Sequence, residues 1–281
     1  GEYSGSNQIA HQEKKGVQIM SDFRPWMILK VKDVDVIFGG LAALKDVSFE
    51  VRPAHIKSVI GPNGAGKSTL LNAITGFINP DKGKITFKGH LLDNFPIHRI
   101  SQIGITRTFQ QVEIFNKMTV LENVLVGRHN YTFTSFLDCF LKHPKMRRVE
   151  KLIQEEAMEL LEFVGIAEKA NQEASALPLG EQKLVEIARA IATQPDLICL
   201  DEPAAGLNES DTQRVAEIIK QLQYRNYTIL LIEHDMKMVM DISDEILVLN
   251  YGQKIAEGTP QEIQSNERVI EAYLGGTTAN A

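Results

Sequence analysis

The stretch GPNGAGKST, residues 61–69, decides the fold of this chain because it fits the phosphate-loop pattern G-x-x-x-x-G-K-[S/T]. The apolar run Ile56–Ile60 before it predicts a buried strand, and Lys67–Thr75 after it predicts a helix. A Gly-rich turn with a surface lysine is the alternative interpretation. The order of strand, loop and helix favours a nucleotide-binding site.

The residue types in this loop suit a bound triphosphate. Glycines let successive backbone N–H groups curl around phosphate oxygens. Lys67 is expected to reach the β- and γ-phosphates, and the hydroxyl of Ser68 is expected to ligate Mg²⁺. The residues expected to hold the cofactor in this loop are Gly61, Asn63, Gly64, Ala65, Gly66, Lys67, Ser68 and Thr69.

A second motif, LICLDEP at residues 197–203, supplies two adjacent carboxylates. The apolar strand before Asp201 places its side chain at the carboxyl edge of a parallel sheet, where ligands bind in such folds. Asp201 is therefore expected to support the Mg²⁺ shell, and Glu202 to hold and deprotonate an attacking water. Alone, two acids after a strand are more often a helix cap or a solvated loop. Together with a phosphate loop, they predict hydrolysis.

The composition excludes several classes of protein. The 281 residues are 43% hydrophobic and 23% charged, as in a globular protein of one or two domains. A formal net charge of −6 argues against a general nucleic-acid binder, so no nucleic-acid partner is expected. The cysteines Cys139 and Cys199 offer no disulfide framework, which is expected of a reducing compartment. No stretch approaches the ~18 consecutive apolar residues of a membrane span.

The order of the predicted elements indicates an α/β fold. Helices fall between several of the apolar strands, which is typical of βαβ units around a parallel sheet. The middle, from about Val120 to Ala174, contains the strongly helical Lys151–Phe163 and no clear strand, so it predicts an inserted helical subdomain. The predicted strands are Ile28–Val36, Val47–Val51, Ile56–Ile60, Lys84–Phe87, Leu197–Leu200, Thr228–Ile232 and Glu245–Leu249.

From Met27 to Gly276 this ordered set of motifs resembles the ATP-binding subunit of an ABC transporter. The resemblance implies a P-loop NTPase core of ABC type with a parallel sheet, an N-terminal antiparallel β-subdomain and an inserted α-helical subdomain at about 111–180. Residues 27–276 would form this ATPase domain, and 277–281 a tail. Residues 1–26 would be a flexible segment, interpreted as a cloning remnant with Met20 as the native start.

The resemblance also assigns three single residues. Phe38 resembles the aromatic residue that stacks on adenine, a core phenylalanine being the alternative. Gln110, in RTFQ, resembles the glutamine that senses Mg²⁺ and the attacking water, and it is counted among the metal residues with Ser68 and Asp201. His234, in LLIEHD, resembles the histidine that contacts the γ-phosphate and Glu202. The resemblance thus implies Glu202, His234 and Gln110 as catalytic residues.

The sequence LPLGEQ, residues 177–182, stands where this family usually has L-S-G-G-Q. Leu177 and Gly180 match, whereas Pro178, Leu179 and Glu181 replace other residues. The family's signature helix points at the γ-phosphate of an ATP held by the other protomer, so Leu177, Gly180 and Glu181 are expected to contact a partner's nucleotide. The periodicity places Lys183, Glu186 and Arg189 on the polar face of this helix. Asn208, in AAGLN, stands where the family usually has Asp.

Finer resemblance favours the ATPase of branched-chain amino-acid importers. It is carried by TVLENVLVGRHN (119–130), DEPAAGLN (201–208), IEHDMKMVM (232–240) and the ending GTPQEIQSNERVIEAYLGG. The stretch Tyr131–Arg148 resembles that subfamily's insertion, a solvated hairpin being the alternative. The competing hypotheses are a lipopolysaccharide-export ATPase and a soluble ABC ATPase without a transport role.

The partners and location follow from the same resemblance. They are integral-membrane permease subunits, a second ABC ATPase in a homo- or heterodimer and, indirectly, a periplasmic binding protein. The chain would be cytoplasmic and peripheral on the cytoplasmic face of the inner membrane. The permease is expected to dock on the surface around Gln110–Gly127, where Phe115, Met118 and Val120 are the apolar candidates.

Overall fold

The computed structural model describes residues 27–93, 95–128 and 144–274. The predicted flexible segment 1–26, the larger part of the predicted insertion (residues 131–143) and the predicted tail 277–281 lie outside the described residues.

Within the described residues, ten strands form two sheets. They are β1 (Leu29–Phe38), β2 (Leu41–Val51), β3 (Ile56–Ile60), β4 (Lys82–Phe87), β5 (His90–Leu91), β6 (Ile105–Arg107), β7 (Leu197–Asp201), β8 (Thr228–Ile232), β9 (Glu245–Asn250) and β10 (Gln253–Gly258).

The same residues form nine α-helices and two short 3₁₀ turns, Ala167–Lys169 and Ala174–Ala176. The helices are α1 (Lys67–Ile74), α2 (Ile97–Gln102), α3 (Val120–Gly127), α4 (Pro144–Phe163), α5 (Leu179–Ala192), α6 (Glu209–Tyr224), α7 (Met236–Ile242), α8 (Pro260–Gln264) and α9 (Glu267–Leu274). None of the helices described is long and apolar enough to cross a membrane.

The larger sheet positions the functional residues. Its strand order is β10-β9-β3-β8-β7-β6, and all neighbours are parallel except β9 and β10. Strands β3, β7 and β8 are buried at every residue, which is expected of parallel strands covered on both faces. Because these strands are parallel, the residues that follow them (Gly61, Glu202 and Glu233) lie at the same edge.

The smaller sheet is antiparallel, with the order β2-β1-β4-β5. Buried and exposed residues alternate along the start of β1, as expected of a sheet with one solvated face. Its buried residues Leu29 and Val31 share a core with Leu70 and Ile74 of α1 and with Val59 of the larger sheet. Helix α1 therefore packs between the two sheets, and the expected α/β fold with an N-terminal antiparallel part is confirmed.

The opposite face of the larger sheet is covered by helices. Residues of α3, α4, α5 and α6 form one apolar cluster with Ile198, Leu200 and Ile229 of the sheet. Val120 is fully buried in this cluster, so its expected place on a docking surface is wrong. The polar face predicted for α5 is present but covered, because Lys183 and Glu186 are only 3% and 2% exposed.

The strands predicted from the sequence are all present, two of them with the predicted bounds. Three others were missed. Strands β5 and β6 are two and three residues long, too short to show a period. Strand β10 contains only half-buried and exposed residues, so it lacks the apolar run that marks the central strands.

Candidate functional site

The phosphate loop turns from β3 into α1 through backbone conformations that favour glycine. Gly64 has a φ of 79°, and a side chain there would meet no atom within 4 Å. Gly61 is a glycine for a different reason, since a Cβ there would lie 2.1 Å from the carbonyl oxygen of Leu249. One glycine therefore leaves the loop open to a ligand, and another allows the loop to pack against β9.

The N-terminus of α1 is available to an anion. Its N-cap, Gly66, makes no side-chain hydrogen bond to the helix, and the first turn contains no acidic residue. Free N–H groups and the positive end of the helix dipole therefore face the opening above the loop. This arrangement fits the phosphates of a nucleotide.

The lysine of the loop is held by carbonyl oxygens of the loop itself. The Nζ of Lys67 donates hydrogen bonds to the carbonyl oxygens of Gly61 at 2.8 Å and Pro62 at 3.1 Å. Burial lowers the pKa of Lys67, and the nearby carboxylates of Glu202 and Asp201 oppose that shift. The ammonium group thus lies in the field of both acids, where it can neutralise a phosphate chain.

Two predicted residues, Gln110 and His234, lie close to the carboxylate of a third, Glu202. The Nε2 of Gln110 donates to Oε2 of Glu202 at 3.0 Å, and Nδ1 of His234 lies 3.6 Å from the same oxygen. Glu202 has a φ of 48°, which is uncommon for a non-glycine residue, and its N–H bonds to the carbonyl of Ile232 at 2.8 Å. The neighbouring strand β8 therefore holds the main chain of Glu202 in an uncommon conformation of the kind found at functional sites.

Asp201 is buried and paired with a residue that the sequence analysis missed. Its Oδ2 accepts a hydrogen bond from Arg107 Nη2 at 2.8 Å. Arg107 also donates to Asn72 of α1 at 2.6 Å and lies 5.3 Å from the ring centroid of Phe109. The sequence signal that could have identified it was its position, three residues before Gln110. Arg107 ties the loop helix, the acid and the segment before Gln110 together.

Glu233 is a second missed residue, directly before the predicted histidine. It is 1% exposed and accepts hydrogen bonds from the N–H of Ala204 at 2.8 Å and of His234 at 3.0 Å. These contacts connect the end of β8 to the segment after Glu202. The sequence signal was an acid at the end of an apolar strand, where a buried charge needs partners.

Phe38 ends β1 and is 51% exposed, so it is not a core phenylalanine. It pairs with Leu41 across the hairpin that leads into β2. Farther along β2, the carbonyl oxygen of Ala43 lies 2.7 Å from where a side chain of Gly66 would begin. The hairpin therefore reaches the phosphate loop with an exposed aromatic ring at its tip.

The beginning of α5 contacts other parts of the chain. A Cβ on Gly180 would lie 2.8 Å from the carboxylate of Asp211 in α6, so this glycine allows two helices to pack. The contact of Gly180 with a partner's nucleotide stays a prediction, and its N–H lies in the first turn of α5. Glu181 forms an ion pair with Lys169, and Leu177 is buried. Among the described contacts, none links these residues to the phosphate loop.

The arrangement can be compared with known proteins. A family model described as "ABC transporter" matches residues 44–205, and one described as "Branched-chain amino acid ATP-binding cassette transporter" matches residues 253–279. The chain is 48% identical over 249 residues to the High-affinity branched-chain amino acid transport ATP-binding protein LivG of Salmonella typhimurium, covering 88% of this chain and 98% of the relative. It is 46% identical to BraF of Pseudomonas aeruginosa, with the same coverage.

Solved structures of ATP-binding cassettes are also similar to this chain. A nucleotide-free ATP-binding cassette from an ABC transporter is similar with a TM-score of 0.76 and 34% identity, covering 88% of this chain and 98% of that one. An ATP-binding cassette in its ADP conformation is similar with a TM-score of 0.77 and 34% identity, covering 89% and 99%.

Proposed function

This chain belongs to the ATP-hydrolysing subunits of ABC transporters, and we propose that it drives the import of branched-chain amino acids through separate permease chains. The relatives at 46–48% identity carry branched-chain amino acid transport in their names. The lipopolysaccharide-export and non-transport alternatives are therefore not favoured. We further propose a second ATPase subunit, two permeases and a periplasmic binding protein as its partners, at the cytoplasmic face of the inner membrane.

The nucleotide site is proposed to work as follows. Bound ATP with Mg²⁺ supplies the phosphoanhydride bond and part of the charge neutralisation. Lys67 and the N–H groups of the loop would hold the phosphates, Ser68, Gln110 and Asp201 would supply oxygen ligands of the type that Mg²⁺ prefers, and Phe38 would stack on the base. Glu202 would accept a proton from the attacking water.

The convergence of Gln110 and His234 on Oε2 of Glu202 carries this proposal. Gln110 would orient the carboxylate through its hydrogen bond, with His234 beside the same oxygen, and Oε1 would then accept the proton. Glu202→Gln preserves the shape of the side chain but removes its basicity, so hydrolysis should fall by ~10²–10⁴-fold while ATP binding remains. Steady-state turnover measures the loss of hydrolysis, and calorimetric titration measures the retained ATP binding. Turnover of the Gln variant at the parental rate would exclude Glu202 as the base.

The proposed docking surface for the permease is a groove of about 530 Å³ between the segment after Gln110 and α3. Its lining residues are Val112, Glu113, Ile114, Phe115, Val126 and Arg189. Phe115 is 46% exposed there, and nearby Met118 is 38% exposed. An apolar groove with a charged rim suits one face of an amphipathic helix.

We expect Phe115→Glu to abolish co-purification with the permease, because it introduces a charge into the apolar groove. Tyr224→Glu is the matched control, since Tyr224 is an exposed aromatic residue at the end of α6, outside this groove. Circular dichroism should be unchanged in both variants. If Phe115→Glu still co-purifies with the permease, the docking surface lies elsewhere.

The proposed cargo is tested separately, in proteoliposomes containing this chain, its permeases and the binding protein. Uptake of labelled leucine, isoleucine and valine should require ATP inside the vesicles and intact Glu202. Uptake of lysine at the same concentration serves as the comparison. Equal uptake of lysine and leucine would exclude a branched-chain importer and leave the ATPase assignment intact.

A further inference from the structure

Helix α5 buries charged side chains on the face that its sequence pattern predicts to be polar. Lys183 and Glu186 are almost completely buried, and Arg189 is half-buried beside them. Burying charged groups is unfavourable unless they are paired and hydrogen-bonded. The contacts of these three side chains therefore need an explanation.

All three contact the main chain of one segment, Gln110–Phe115, which we call the glutamine segment. Lys183 Nζ donates to the carbonyl oxygen of Gln110 at 2.8 Å, and Glu186 Oε1 accepts from the N–H of Glu113 at 2.9 Å. Arg189 Nη2 donates to the carbonyl oxygen of Glu113. Spacings of three residues place the side chains in one row along α5, so the row holds the segment at two points.

The charges in this row are arranged for these main-chain contacts more than for one another. Glu186 Oε2 lies 4.0 Å from Lys183 Nζ, and Oε1 lies 3.8 Å from Arg189 Nη2. Oε2 has no hydrogen-bond partner among the described residues. Burial raises the pKa of Glu186, and both cations oppose this shift. Since apolar residues of similar volume often stabilise a core as well as a buried ion pair does, packing alone does not explain this row.

The segment held in this way carries a side chain of the candidate site. The main-chain carbonyl of Gln110 is bound by Lys183, while its side-chain amide reaches Glu202 at 3.0 Å. The main chain of Gln110 is thus bound by α5, and its side chain is bound by the carboxylate of Glu202, which follows β7. A small displacement of the carbonyl would move the amide away from Glu202.

We propose that Lys183, Glu186 and Arg189 are positioning residues that set the Gln110 amide against Glu202 by holding the main chain of the glutamine segment. The inference deepens the proposed function and rests on it, because it takes Gln110 and Glu202 as catalytic residues. At the far end of the row, Arg189 lies 5.5 Å from the ring centroid of Phe115, which lines the proposed docking groove. The row therefore connects that groove with the catalytic carboxylate.

The test compares Glu186→Ala, which removes the acceptor for the Glu113 N–H, with Glu186→Gln, which keeps an acceptor oxygen. The measurements on the full chain are kcat, the Kd for ATP, and hydrogen–deuterium exchange of the peptide around residues 108–118. We expect the Ala variant to exchange faster and to lose about 10- to 100-fold in kcat, as misplacement of a catalytic group does. Its ATP affinity should be unchanged, and Gln should restore most of kcat.

Two results would overturn the proposal: an unchanged kcat in Glu186→Ala with faster exchange, or parallel losses of kcat and ATP affinity, as expected of general unfolding. If Glu186→Ala does not fold, Lys183→Met combined with Glu186→Gln replaces it. This pair removes both charges, keeps the acceptor for Glu113 and removes the bond to Gln110, so it should fold and still lose kcat, and a parental kcat contradicts the proposal. The proposed function fails separately, if the unmodified chain does not hydrolyse ATP or if Glu202→Gln retains full turnover.

Discussion

The N-termini of α1 and α5 both lie at predicted nucleotide contacts, and both lack a side-chain cap, as does the short helix α2 after Pro96. The caps of α1 and α5 are Gly66 and Pro178, and neither makes a side-chain hydrogen bond to its helix. By contrast, Thr119, Asn208, Asp235 and Thr259 each accept an N–H at the beginning of a helix. An uncapped N-terminus leaves donors for an anion, so both ends can face phosphate.

The surroundings of the two N-termini differ. The first turn of α1 contains no acid, the loop before it is open at Gly64, and Lys67 supplies a positive charge. The first turn of α5 contains Glu181, which is paired with Lys169, and Gly180 is covered by Asp211. The proposed phosphate contacts at α1 all come from its own loop and first turn, whereas α5 offers only backbone donors and its dipole. This difference is expected if α5 contacts a nucleotide that another subunit holds.

The largest expected effect lies at α1. Lys67→Ala removes a charged donor facing the phosphates, and such hydrogen bonds contribute roughly 1.5–3 kcal/mol, or about 10- to 100-fold in Kd. Lys169→Ala is the matched control, because it removes the lysine near α5 and should leave the ATP affinity of the isolated chain unchanged. Calorimetric titration measures both. Equal losses of ATP affinity in the two variants would contradict the proposed difference between the N-termini of α1 and α5.

An intermediate effect is expected at Gly180, on stability alone. Overpacking costs about 1–3 kcal/mol, while replacing a helical glycine with alanine gains about 1 kcal/mol. Gly180→Ala should therefore lower the free energy of unfolding by up to ~2 kcal/mol, because the Asp211 carboxylate must move away from Asn208, which donates to it at 2.8 Å. In an Asp211→Ala background the same change should stabilise the chain. Denaturant unfolding of the four proteins tests this, and equal effects in both backgrounds would contradict the packing role.

The smallest effect is expected at Pro178 and requires the assembled transporter. Proline offers neither a hydroxyl nor an N–H, so Pro178→Ser adds donors at the start of α5. One added hydrogen bond to a charged group would raise hydrolysis at the partner's ATP site by about tenfold. The rate is measured with this chain's own site disabled by Glu202→Gln. An unchanged rate would make Pro178 a helix-starting residue only.

Local patterns predicted which candidate residues lie together at the carboxyl edge of the larger sheet. Each motif there is a run of consecutive residues. One is the strand Ile56–Ile60 with the loop after it, and the other is the strand through Leu200 with the acids that follow. Because parallel strands end at the same edge, their order in the chain was enough to group Lys67, Asp201, Glu202 and His234.

Residues that act through partners far along the chain were harder to predict. Arg107 and Glu233 look like ordinary polar residues in the sequence, and their roles come from bonds to Asp201 and Ala204. The burial of Lys183 and Glu186 on α5 was not predicted for the same reason. A helical period separates polar from apolar residues, and it carries no information about which polar groups another segment will cover.

The sequence by itself therefore determined the nucleotide loop, the α/β class and the family, because each depends on short motifs whose backbone geometry is local. Only the tertiary structure decided that Gly180 packs against Asp211, that Val120 is core, and that Lys183 and Glu186 are buried. The physical reason is that burial and pairing of a side chain depend on the segment that packs against it. For α5 those segments are Gln110–Phe115 and α6, far away in the chain.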